Sequence, residues 1–377
     1  MASCSKHAQP EPEFEPWVND LSLPVPIQFG TPDVAQTKAL PVNKASDLAG
    51  RWLGVFAINN DSDADWADSD NVLLNNASAT YTGKENAGSL QFIGSSTKDL
   101  VTKYYPVKSD INYTFYGYYV QGGTTLTDDD TNTPTITNGV YYVDVDFGAL
   151  DYLWAKSVAE PYVASESVTY NGYNAKYIRE ITKANQTGKM PQFAFRHITS
   201  LVSFIAKGDI TDSSVDSDFS DIQICSVVVN DAVKQAKLCI AKKSEIASTD
   251  NLQYEGKFFD INETTKGQIE MRAIVPDGSS STWLPDGTPK PIPTVAGVTL
   301  GQGLFLCPGY EYSISVYYRS NATGNWPPVE LKIDTPKLEA GKKYVYTLVF
   351  HKSTKVDITV TLEEWQTGEE KEIADLN

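Results

Sequence analysis

Apolar and polar residues alternate with a period of two along much of this 377-residue chain, and no stretch carries a helical period of any length. Residues 21–29 place Leu21, Leu23, Val25, Ile27 and Phe29 on one face of a half-buried strand. Pro24 and Pro26 lie two apart, so the same edge of that strand lacks an N–H twice. It can pair well only along its other edge, and an edge strand is predicted. A polar link at 30–50 separates it from an apolar run at 52–58. Further strands are predicted at 89–93, 113–120, 140–147 and 178–181, with 151–155 as a short turn or helix. The polar stretch 182–191, containing Gly188 and Pro191, marks a boundary. Beyond it, 192–206 is one long buried strand or two strands with a bend. Strands follow at 222–229, 236–240, 268–275, 298–306, 310–318, 329–333 and 343–350. The last, 356–362, carries Val356, Ile358, Val360 and Leu362 on one alternating face. Short strands in two sets predict an all-β chain of two tandem β-sandwiches, 21–190 and 191–377, behind a disordered leader at 1–20.

Composition reinforces that pattern. The chain has 21 Tyr and 14 Phe against 3 Met, with 25 Gly and 20 Pro, a bias toward strands and turns. A formal net charge of −17 with no basic cluster argues against nucleic acid as a partner. No apolar run reaches the roughly 18 residues that a membrane-spanning helix needs. Ala2-Ser3-Cys4 resembles the end of a bacterial lipoprotein signal, and residues 6–16 resemble a polar tether. Cys4 is therefore the candidate lipidation site, against the alternative of a chance cysteine in a polar tail.

Material for chemistry is scarce. With three histidines, His7, His197 and His351, triads and His-rich metal sites have little to draw on. His197, between Phe195 and Thr199, is expected to be a hydrogen-bonded core residue. Asp61-x-Asp63-x-Asp65 invites a calcium reading, but Trp66 and Val72 break the loop pattern that calcium requires, and a solvated acidic loop is expected. Glu363 and Glu364 are adjacent in a strand and point to opposite faces, unlike paired catalytic carboxylates. Gly301-x-Gly303 lacks the third glycine of a phosphate-binding loop. No catalytic, cofactor or metal site is expected, and the chain is not read as an enzyme. If 222–229 and 236–240 form a hairpin, Cys225 and Cys239 fall opposite each other, as a disulfide or as two buried thiols. Tyr104-Tyr105 and Trp326 are the aromatics that a glycan-binding surface would use.

One ordered set of features resembles the fimbrillins, the Bacteroidetes-type (type V) pilin subunits and their accessory proteins. It comprises Cys4, the apolar Ile27-Gln28-Phe29, then Thr37-Lys38-Ala39 and the run Trp52 to Ala57. It continues with Phe195-x-His197-x-x-Ser200-x-Val202, Ala273 to Pro276, Leu338 to Tyr344, and the closing run Ile358 to Trp365. The resemblance implies two transthyretin-like β-sandwich domains, export as a lipoprotein to the outer membrane, and no cofactor. It further implies that a trypsin-like protease cuts between Lys38 and Ala39, with Arg51 as second choice, and removes the strand 21–29. The strand 356–362 of another subunit would then fill the vacated groove and build a pilus that contributes to adhesion, a homopolymer in the simplest case. Where this family commonly has Arg at the cut, the chain has Lys38. The alternatives are a monomeric surface lipoprotein that binds glycans, or a tip or anchor subunit.

Overall fold

A computed structural model describes residues 15–30, 33–34, 48–82, 89–94, 99–107, 110–120, 135–137, 139–165, 168–209, 222–243, 255–261, 264, 266–271, 290–291, 297–320, 329–351 and 355–364. Its centre is an eight-stranded sheet. In spatial order the strands are Asp33–Val34, Ala194–His197, Tyr152–Ser157, Tyr113–Val120, Leu53–Asn59, Val72–Thr82, Ser89–Ile93 and Leu100–Val101. The two middle strands are buried along their whole length. Period-two geometry explains this, because successive side chains enter two different cores. Phe56, Ile58, Tyr116 and Tyr118 pack into one, while Val55, Ala57, Phe115 and Tyr119 pack into the other.

The first of these cores continues without a break into a C-terminal sandwich. One of its sheets runs Val298–Leu306, Ser200–Gly208, Lys342–His351 and Lys355–Glu364. The facing sheet runs Gly267–Glu270, Ile222–Ala232, Ser313–Ser320 and Val329–Asp334. Phe204, Tyr346, Leu348 and Phe350 from the one meet Ile224, Val229, Ile314 and Val316 from the other. A further four-stranded sheet interleaves the two halves of the chain: Val140–Asp146 pairs with Gln235–Lys242. Ala194–His197 likewise pairs back onto Tyr152–Ser157. A division at residue 190 therefore does not separate the hydrogen-bonded networks.

The architecture is all-β, with local departures from expectation. Residues 175–183 form a helix (α2, Ala175–Lys183) where a strand at 178–181 is predicted. Asn174 caps it by accepting the Tyr177 N–H at 2.8 Å, and Tyr177, Ile178 and Ile181 face the core. Residues 151–155, expected as a short turn or helix, lie almost wholly in the strand Tyr152–Ser157 of the central sheet. Val72–Thr82 is an additional strand that carries Asn75 and Asn76 mid-length, with Asn76 at φ 50° where the ladder shifts register. Residues 16–19, assigned to the disordered leader, form one helical turn (α1, Pro16–Asn19) whose Val18 is wholly buried. The predicted 222–240 hairpin does not form. Both strands exist, but the chain crosses between sheets at the buried Val233. Cys225 thus lies at the bulge in the strand paired with Ser313–Ser320, where the register shifts between Ile224 and Ser226, and Cys239 lies opposite Tyr142. Cys225, Cys239 and Cys307 are buried thiols, so the disulfide alternative for Cys225 and Cys239 is replaced by the thiol one.

Candidate assembly surfaces

The N-terminal strand lies over the second core. Val25–Pro26 pairs antiparallel with Tyr104–Tyr105, in the register Val25 to Tyr105 and Pro26 to Tyr104. The Ile27 N–H donates to the Lys103 carbonyl at 2.8 Å. That pairing uses the Val25 and Ile27 edge, so Pro24 and Pro26 face the other edge, as the sequence predicts. There a groove of about 860 Å³ opens, lined by Pro24, Pro26, Gln28, Gln91, Val101 and Thr102. Val25, Ile27 and Phe29 are buried. The Phe29 ring meets those of Phe92, Phe115 and Phe193 at centroid distances of 5.6, 5.5 and 5.2 Å. At about 1.5–3 kcal/mol for each buried large side chain, these three supply most of the strand's hold.

The alternation ends sooner than expected. Leu21 is 67% exposed and Leu23 half-buried, because Asp20 accepts both the Ser22 N–H and its hydroxyl and turns the backbone there. Three of the five predicted positions therefore form the inward face. Upstream, the leader is clamped by Arg179 of α2, itself only 3% exposed. Its Nε donates to the Trp17 carbonyl at 2.9 Å, and its Nη2 donates to those of Leu23 at 2.6 Å and Asp20 at 3.3 Å. Burial lowers the pKa of this guanidinium, with the Asp20 charge pulling the other way.

The last strand is held along one edge only among the described residues. Lys355–Glu364 pairs with Lys342–His351, from His351 opposite Lys355 to Lys342 opposite Glu364. Val356 packs on the core, while Ile358, Val360 and Leu362 are 37%, 51% and 53% exposed. At the end of this ladder where the two strands connect, His351 places Nδ1 2.8 Å from Asp209 and Nε2 2.7 Å from Asp357.

A third constellation joins two segments about 140 residues apart. His197 Nδ1 lies 2.6 Å from Asp151 Oδ2, and Thr199 donates its hydroxyl to Asp151 Oδ1 at 2.8 Å. The Ser200 hydroxyl donates to the Glu339 carbonyl, and the Gly341 N–H to the Thr199 carbonyl. Gly341 adopts φ +69°, and a Cβ there would stand 3.1 Å from the His197 carbonyl. The expected core role of His197 matches this setting. Asp151 and Arg179 escape sequence reading, since each finds its partners through tertiary structure alone.

Over residues 48–365 the chain matches the model of the fimbrillin-like family. The chain belongs to the fimbrillin-like family. Two segments that carry the resemblance, Phe195 to Val202 and Leu338 to Tyr344, are joined through the Ser200–Glu339 and Gly341–Thr199 bonds, and the first of them holds Asp151 in this fimbrillin-like chain.

Among solved structures the chain is similar to a "putative cell adhesion protein" of Bacteroides uniformis at 15% identity and TM-score 0.49, covering 91% of this chain and 98% of that one. It is also similar to one of the same description from Bacteroides ovatus, at 14% identity and TM-score 0.48, over 92% and 100% of the two chains. A fimbrial protein of Bacteroides vulgatus gives 15% and 0.44, over 90% and 99%. No curated protein matches the chain.

The remaining expected sites fall as follows in the fimbrillin-like protein. Cys4, Lys38, Ala39 and Trp326 lie outside the described residues. Arg51 is half-buried, its N–H bonded to the Leu48 carbonyl one residue before the core strand's approach at Trp52. Tyr105 is buried and Tyr104 is 47% exposed, and both serve as pairing partners of the first strand. The Asp61, Asp65 and Asp68 carboxylates each accept a backbone N–H two residues on. Among the described residues no group of three or more His, Cys, Asp or Glu is arranged to hold a metal ion.

Proposed function

We propose that this protein is a structural subunit of a bacterial surface pilus, exported as a lipoprotein through Cys4 and assembled by strand exchange after proteolysis. One observation carries the reading: the first strand fills an apolar slot with Val25, Ile27 and Phe29 while pairing, among the described residues, along a single edge. A strand so placed is bonded enough to complete the monomer and exposed enough to be replaced. Cutting after Lys38 would free residues 1–38 and uncover Phe92, Phe115 and Phe193. The last strand offers three apolar side chains at the same spacing of two, Ile358, Val360 and Leu362, already exposed. Strand addition of this kind takes affinity from main-chain hydrogen bonds and specificity from alternate side-chain pockets. The partners are then other pilin subunits, copies of this chain first, with a trypsin-like protease as trigger. The site of action is the cell surface, with the outer membrane as anchor before processing.

Limited trypsin digestion, followed by mass spectrometry, sizing and electron microscopy, tests this reading. A dominant first cut within residues 30–51 followed by fibres supports it. A cut product that stays monomeric, or fibres from uncut protein, overturns it.

A further inference from the structure

Arg179 has a consequence for assembly that rests on the strand-exchange reading above. Its buried guanidinium is satisfied by carbonyls of Trp17, Asp20 and Leu23, all on the segment that cleavage after Lys38 would release. Departure of that segment leaves a cation at one end of the apolar slot without those three acceptors. A desolvated cation that loses its acceptors is costly, so the slot selects an occupant that returns oxygen atoms or negative charge there.

The last strand is polarised along its length. Lys352 and Lys355 stand before its apolar residues, and Glu363 and Glu364 follow them. Two orientations in the slot are therefore electrostatically distinct. If the incoming strand runs opposite to the one it replaces, Leu362, Val360 and Ile358 take the places of Val25, Ile27 and Phe29. Glu364 then falls at the position of Leu23, whose carbonyl lies 2.6 Å from Arg179 Nη2. If it runs in the same sense, Ile358 takes the place of Val25. Val356 then falls at the position of Leu23, and the positive charge of Lys355 comes next on the side of the buried cation.

We infer that Arg179 is the residue that orients assembly: it receives Glu364, with Glu363 adjoining, from a second copy of this chain. The incoming last strand therefore lies parallel to Tyr104–Tyr105, whereas the intramolecular first strand lies antiparallel to it. Like-charge repulsion disfavours the other sense, and opposite charge steers encounter toward this one.

Cysteine cross-linking of the trypsin-cut full-length protein reads the orientation directly. Pro26 is the register partner of Tyr104. In the inferred sense Thr361 replaces Pro26, and in the opposite sense Thr359 does. Protein bearing Tyr104→Cys is mixed with protein bearing either Thr361→Cys or Thr359→Cys, then cut and oxidised. The expected result is a dimer band from the 104–361 pair and none from 104–359. A 104–359 band overturns the inference. Glu363→Gln with Glu364→Gln leaves the acceptor slot intact and is expected to slow polymerisation about tenfold at low salt, with the difference shrinking as salt rises. A rate equal to that of the unaltered protein at every salt concentration overturns it as well. Failure of the unaltered cut protein to polymerise would instead remove strand exchange itself, so the two readings fail separately.

Discussion

The ring of Phe29 stacks on that of Phe193, centroids 5.2 Å apart and planes 27° from parallel. This contact ties the first strand to the segment leading into Ala194–His197, which is an integral part of the central sheet. Phe29→Ala removes it together with the edge contacts to Phe92 and Phe115. A loss of about 3–5 kcal/mol is expected for such a buried aromatic. If strand release is local, the loss appears as faster trypsin cleavage and premature fibres while the main thermal transition holds. A uniformly lowered main transition with unchanged cleavage would show that the strand unfolds only with the whole.

Lys38→Ala combined with Arg51→Ala is expected to leave the fold intact and block conversion. The Arg51 N–H is bonded within the turn before a core strand, so cutting there requires local opening. Mass spectrometry of the digest checks the order of cuts. Fibres from the uncut double variant would contradict the scheme.

Truncation after Phe350 removes Lys355–Glu364, of which Ile358, Val360 and Leu362 are exposed. The expected product is a monomer with near-native circular dichroism and a stability loss confined to Val356 packing, one ladder of backbone bonds and the contact of His351 with Asp209. It should accept a strand from full-length subunits but donate none. A truncated chain that polymerises alone would place the donor strand elsewhere.

Burial pushes the Cys239 thiol up to about 12 and raises Cys307 further. Each thiol therefore keeps its proton in the native state at pH values where the unfolded thiol has lost it. Unfolded chains bind fewer protons above about 9, so this contribution to stability is complete below that pH and is lost as pH rises toward 12. Chemical denaturation between pH 8 and pH 11 should show falling stability, with Cys239→Ser and Cys307→Ser flattening part of the slope. Thiol reagents at pH 8 should label neither cysteine until the protein unfolds.

The legible parts of the fold are those that depend on nearest neighbours. The period-two runs at 89–93, 113–120 and 298–306 match their strands residue for residue, because each is framed by turn residues and faces a core. The Pro24 and Pro26 edge argument also survives intact. Helix α2 is hidden because two turns show only Tyr177, Ile178 and Ile181 on their apolar side, a spacing that a strand reading absorbs, while the decisive Asn174 cap lies outside the run. Val72–Thr82 is hidden by its own bulge, where Asn76 turns its side chain toward the Tyr118 hydroxyl at 3.0 Å. The Cys225 and Cys239 strands are readable as strands, but their partners are settled by packing across the whole molecule. The same holds for Arg179, whose three acceptors are more than 150 residues away in sequence.

The slot and the last strand differ in sequence and belong to different sheets. A contact that joins one to the other is heterologous, with no twofold axis to close it into a dimer. Under the strand-exchange proposal each processed subunit would have a valence of two, one receiving and one giving. Chains of such subunits would be unbranched and have distinguishable ends. Growth would stop wherever a subunit arrives whose last strand lacks the apolar face of Ile358, Val360 and Leu362, or whose own first strand has never been removed.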